Sequence, residues 1–202
     1  MASAAVALFA ASPIVRASEA QQPTPRQEGG RIEILVDVDA QKLRLIQGGL
    51  VVSSYPISTS RFGLGDAYRS YKTPVGTFRI SDKLGSDLPI GAVLKGGRFT
   101  GEILPVNAPG RDPIVTRMIR LQGLEPQNRN THDRGIFIHG TPEEKNLGKP
   151  VSWGCIRMRS RDVAELYGRV EVGTKVIISS RTGSIPPAEK KSTILSWFSG
   201  KG

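Results

Sequence analysis

The sequence predicts a mostly β domain: a sandwich or barrel-like sheet core carrying one or two short helices. Three observations predict it. Apolar residues alternate with polar ones in several short runs instead of recurring at helical spacing. Turn residues punctuate those runs, with 23 Gly and 14 Pro in 202 residues. Only Arg161 to Tyr167 carries a short helical pattern, with Asp162 near its start and Val163, Leu166 and Tyr167 on one side.

The strands follow in order. Ile32, Ile34, Val36 and Val38 alternate with polar or charged residues through most of the run, as a half-buried strand does. Leu43 to Ile46 makes a second strand, Gly48-Gly49 a turn, and Val51 to Ser58 a third strand. Gly76 to Ile80 is a fourth. Residues 83–113 are rich in Gly and Pro, and are read as a long surface excursion, a lid or groove wall. Val115 to Leu121 and Gly135 to His139 read as central strands, and Lys175 to Ser179 closes the sheet. The folded unit is therefore expected over residues 31–180. Residues 1–30 read as a signal-peptide-like segment and linker: an apolar stretch from Ala4 to Ala11, then small residues, although no basic residue precedes Arg16. Residues 181–202 read as a flexible basic tail.

The formal net charge of +10 favours anionic partners. The cations are scattered and no nucleic-acid motif is present, so nucleic acid is not the expected partner. No apolar run is long enough to span a bilayer. The single cysteine, Cys155, excludes an intrachain disulfide framework. A protein that leaves the cell with one unpaired thiol exposes it to oxidation, which suggests that the thiol has a use.

Cys155 sits in Val151-Ser152-Trp153-Gly154-Cys155-Ile156-Arg157-Met158, downstream of His139 in Ile138-His139-Gly140-Thr141. Sulfur attacks as thiolate, and a free thiol with a pKa of about 8.5 is mostly protonated at neutral pH. An imidazole beside it removes the proton or stabilises an ion pair. If Ile156 points into the core, Cys155 and Arg157 share the opposite face. His139 ends an apolar run just before a glycine, a common address for catalytic groups. A small buried hydrophobe beside a core histidine fits the same residues, so these considerations leave both readings open. A metal site from His132, His139, Cys155 and Asp133 is disfavoured: the chain has two His, and the set is incomplete without Asp133. No metal or cofactor is expected.

The run HGTPEEKNLGKPVSWGCIRM resembles the signature of the L,D-transpeptidase catalytic domain (the YkuD type): a histidine, a spacer, then Ser/Thr-His-Gly-Cys, an apolar residue and Asn or Arg. Lys72-Thr73-Pro74-Val75-Gly76-Thr77-Phe78 resembles that family's Thr-Pro-x-Gly-x-Phe element, and residues 32–60 resemble its opening strands. The likeness covers about residues 31–180. It implies a β-sandwich with a short helix or two. It further implies a nucleophile at Cys155, a base at His139, and a Gly140 carbonyl that orients the second ring nitrogen. Ser152, Trp153, Gly154 and Arg157 are then the substrate-binding and oxyanion residues, with the Gly154 and Cys155 amides as oxyanion donors and the Ser152 hydroxyl as a hydrogen bond that fixes the loop. Arg157 would hold a stem carboxylate or lower the thiol pKa, and Tyr68 and Tyr71 would line the groove. The substrate implied is a peptidoglycan tetrapeptide stem. The acceptor is an amine of a second stem, a D-amino acid or a protein lysine, and carbapenems acylate the thiol. The setting implied is the periplasm or cell envelope. One departure stands out: Trp153 replaces the usual His. It is expected to alter substrate preference by packing over the groove or stacking on substrate. The same thioester resolved by water would give an L,D-carboxypeptidase or hydrolase, and a decayed site would leave an inactive peptidoglycan-binding module.

Overall fold

Among the described residues, ten short strands and one α-helix carry the fold, and most owe their place to where their apolar residues fall. In the computed structural model, which describes Met1 and residues 30–180, β1 (Ile32–Asp37) pairs antiparallel with β2 (Lys42–Gln47), and β2 with β3 (Leu50–Ser58) across the Gly48-Gly49 turn. The alternating residues Ile34, Val36, Leu43 and Leu45 all point inward and are fully buried. β4 (Gly76–Leu84) buries Phe78 and Ile80. β7 (Ile114–Gly123) buries Ile119 and Leu121. β8 (Phe137–Gly140), β9 (Ile156–Met158) and β10 (Lys175–Ser179) complete the core strands. Each fully buried aliphatic or aromatic side chain contributes about 1.5–3 kcal/mol.

The strand order runs β4-β10-β1-β2-β3-β9-β8-β7, and β4 also pairs with β7. These eight strands therefore close on themselves, which makes the sheet barrel-like and leaves fewer open edges. The β1–β10 and β8–β9 pairs are parallel and the others antiparallel. The helix α1 (Ser160–Arg169) fills one side of the barrel with Val163 and Leu166. It extends the expected helix at both ends.

The stretch read as a plain surface excursion contains a hairpin instead. β5 (Ala92–Lys95) and β6 (Arg98–Ile103) pair with each other, and β5 attaches to β7. β6 is exposed along most of its length, so it has no apolar face and no alternation. The expected leader-like segment over 1–30 and the basic tail over 181–202 lie, but for Met1 and Gly30, outside the described residues. Among the described residues, no helix is long and apolar enough to cross a membrane.

Candidate active site

The site is built where β8 and β9 run side by side. Their parallel register sets Ile138 against Ile156 and His139 against Arg157. Ile138 and Ile156 are fully buried in the core. Side chains alternate along strands, so His139 and Arg157 occupy the other face, and Cys155, one step before β9, joins them. His139, Cys155, Arg157, Trp153, Asp112 and Ile114 line one cavity of about 240 Å³. Cys155 and Trp153 also line a second cavity, of about 270 Å³, with Tyr68, Arg69, Tyr71, Arg134, Gly135 and Ile136. The sulfur thus lies at the junction of two openings.

His139 is held in one tautomer. Its Nδ1 lies 2.8 Å from the Gly140 carbonyl oxygen, which can only accept. The hydrogen is therefore on Nδ1, and Nε2 keeps the lone pair. Gly140 must be glycine for this: a Cβ there would sit 2.5 Å from the Val115 carbonyl oxygen and 3.2 Å from Val163 Cγ1. Burial pushes the His139 pKa down to about 4; the Gly140 bond and Asp112 oppose that shift and Arg157 adds to it. The same burial pushes the Cys155 thiol up, while the Phe137 amide, Arg157 and Arg134 pull it down. Both shifts favour the uncharged forms, a neutral thiol and a neutral imidazole, over a thiolate–imidazolium pair. The thiol donates to the Gly135 carbonyl at 3.5 Å, and Sγ accepts from the Phe137 amide at 3.4 Å. Once the proton leaves, that amide and the two guanidinium groups remain to hold the charge.

The cysteine loop is braced from within. Ser152 is fully buried. Its hydroxyl donates to the Cys155 carbonyl at 2.6 Å and accepts from the Gly154 amide at 3.2 Å. The Ser152 hydroxyl is spent fixing the loop, one of the roles expected of it, and is not left open to a substrate. The Gly154 amide is not a free oxyanion donor, because Ser152 occupies it. Gly154 serves as a bend instead: its φ of +119° suits glycine, and its carbonyl accepts from Thr73 Oγ1 at 3.0 Å. Among the described residues no hydrogen-bond partner falls on the Cys155 amide, which leaves it as the available donor.

Arg157 is largely spoken for. Its Nη2 lies 2.6 Å from Asp112 Oδ2, with both side chains mostly buried, and Glu143 stands 4.0 Å from Nη1. Thr141 donates its hydroxyl to the same Asp112 carboxylate. Of the two roles expected for Arg157, tuning the sulfur fits this pairing better than seizing a substrate carboxylate. Trp153 is 55% exposed. It packs edge-on against Phe62 and Tyr71, with ring centroids 5.2 Å apart in each case. It walls both cavities. Tyr68 and Tyr71 line the larger one, as expected. His132 and Asp133 pair with each other at 3.3 Å, and neither lines these cavities. Among the described residues no group of His, Cys, Asp and Glu is placed to hold a metal.

Three contributors escaped sequence reasoning. Asp112 stands in the Gly110-Arg111-Asp112-Pro113 segment that leads into β7. Arg134 forms a buried pair with Asp66 at 2.7 Å and donates to the Lys72 carbonyl at 2.7 Å. It thereby ties the loop carrying Tyr68 and Tyr71 to the approach of β8. Thr73 accepts from the Ser60 amide at 2.9 Å while donating to Gly154. Its place in the Thr-Pro motif was the only available signal, because these partners lie far apart in sequence.

The YkuD family, described as the L,D-transpeptidase catalytic domain, matches residues 31–178. The Escherichia coli K12 protein named "Probable L,D-transpeptidase YcfS" is 33% identical over 132 residues, covering 63% of this chain and 37% of that protein. The Salmonella typhimurium protein named "Probable L,D-transpeptidase ErfK/SrfK" is 48% identical over 44 residues, covering 22% of this chain and 14% of that protein. Among solved structures, an L,D-transpeptidase from Mycobacterium smegmatis superposes with a TM-score of 0.50 at 22% identity, over 75% of this chain and 59% of that one. That likeness speaks to fold alone. The chain spans less than two thirds of each of these proteins.

Proposed function

The chain belongs to the L,D-transpeptidase catalytic-domain family, and from that membership we propose that it is a cysteine acyltransferase acting on peptidoglycan tetrapeptide stems in the periplasm or cell envelope. The observation that carries this reading is the shared cavity of Cys155 and His139, with Nδ1 tied to Gly140 and Nε2 free.

The steps balance as follows. His139 Nε2 takes the proton from Cys155 as Sγ attacks the carbonyl between diaminopimelate and the terminal D-Ala. The Cys155 amide donates to the oxyanion; one well-placed donor contributes about 3 kcal/mol. The C–N bond breaks, the imidazolium returns its proton to the departing D-Ala amine, and a thioester remains. An acceptor amine then attacks the thioester, loses a proton to His139, and the sulfur leaves and is reprotonated.

The two cavities differ in charge. The larger carries Arg69 and two tyrosines, which suits the carboxylate-bearing donor stem, while Arg134 is spent on Asp66. In the smaller, Asp112 and Arg157 offset each other beside His139, which suits an uncharged incoming amine. The test is product analysis with a purified tetrapeptide stem, with and without an added D-amino acid. Transfer predicts D-Ala released and the added amino acid incorporated. Tripeptide alone, whatever the amine supplied, would replace transfer by hydrolysis. No turnover from the folded protein would leave the binding-module reading.

A further inference from the structure

We propose that Thr116 is a positioning residue for His139, acting through a bulge in β7 that holds Gly140 in place; its catalytic arm rests on the acyltransferase reading above. Val115 pairs with Gly140 and Met118 with His139, so Thr116 and Arg117 are extra residues inserted opposite the histidine. A bulge interrupts the ladder and re-aims nearby groups. The Gly140 carbonyl, at the interruption, accepts from His139 Nδ1 at 2.8 Å.

Thr116 is fully buried with φ +71°. A β-branched residue in that region is strained and persists only when its surroundings enforce it. Several contacts enforce it here. The Gly91 amide donates to Thr116 Oγ1 at 3.0 Å, inside the protein. Arg117 Nη1 donates to the Thr116 and Leu88 carbonyls, each at 2.7 Å. A Cβ on Gly140 would meet Thr116 Cβ at 3.3 Å. The chain just before the β5–β6 hairpin thus clamps Thr116, and Thr116 closes the space beside Gly140. Without the Gly91 anchor the bulge relaxes, the Gly140 carbonyl turns, and Nδ1 loses its fixed acceptor.

The chain's two histidines make a direct test practical. His132→Gln leaves His139 as the sole imidazole, whose tautomer is read by ¹⁵N NMR in the free protein. In that background, Thr116→Val keeps the branching and loses the acceptor for Gly91. Thr116→Gly removes both the strain and the hydroxyl, and serves if the valine variant fails to fold. Thr116→Ser keeps the hydroxyl. The proposal predicts a pure Nδ1–H tautomer in the parent and the serine variant, and a tautomer mixture in the valine and glycine variants. It further predicts that the latter two lose about 10- to 100-fold in kcat on a tetrapeptide stem with KM little changed, the size expected for a misdirected base. An unaltered tautomer in folded valine and glycine variants overturns it. A tautomer shift in a series where even the parent turns over no stem upholds the positioning and sinks the acyltransferase reading instead.

Discussion

Replacing His139 by Gln separates a neutral resting pair from an ion pair. Glutamine does not titrate, and its amide can still donate to Gly140. In the folded protein, burial lowers the His139 pKa from 6.5 to about 4. At about 1.4 kcal/mol per pKa unit, that drop corresponds to about 3 kcal/mol. The sign follows from proton uptake. Between pH 6.5 and 4 the unfolded chain binds the His139 proton and the folded chain does not, so acid favours unfolding. The contribution is complete above pH 6.5 and is lost as pH falls through about 4. Denaturant unfolding of the wild type and of His139→Gln, measured from pH 7.5 down to 4, gives the difference directly, and other titrating groups largely cancel in it. The wild type should lose about 3 kcal/mol relative to the variant across that window. A flat difference, or a wild type that gains on the variant as pH falls, would mean that the fold favours the imidazolium and that the neutral-pair assignment is wrong.

Three further outcomes follow from the packing. Thr73→Val leaves the Ser60 amide and the Gly154 carbonyl without their buried partner, and should cost about 2–4 kcal/mol by denaturant titration; an unchanged midpoint would remove Thr73 as the brace of the cysteine loop. Gly140→Ala places a methyl 2.5 Å from the Val115 carbonyl oxygen. It should cost about 1–3 kcal/mol and slow carbapenem acylation; wild-type melting and rate together would contradict the close approach. Trp153→Ala removes the edge contacts to Phe62 and Tyr71, together about 1–3 kcal/mol. On a tetrapeptide stem it should raise KM more than it lowers kcat; the reverse pattern would take Trp153 out of the groove wall.

The sequence was most legible where one residue's type decides its environment. Alternation placed Ile34, Val36, Leu43 and Leu45 on the inward face because a sheet with one buried side enforces period two. The short motif around Cys155 marked the segment that lines the cavity, and Ile156 between Cys155 and Arg157 divided core from cavity as expected. Two kinds of feature stayed hidden. β6 has no buried face, so Phe99 and Ile103 gave no periodic signal. Long-range polar pairs were equally silent: Arg134 meets Asp66 across 68 residues, and Thr73 reaches the Gly154 carbonyl across 81. Barrel closure by β4–β7 pairing likewise depends on register between distant strands, which local pattern does not encode.

Whether Cys155 is a nucleophile whose proton is taken by His139 is read by intact mass after incubation with a carbapenem at neutral pH. One covalent adduct is expected on the wild type, none on Cys155→Ala, and none at matched times on His139→Ala, with all three folded. An adduct that survives loss of Cys155, or acylation as fast without His139 as with it, would contradict that assignment.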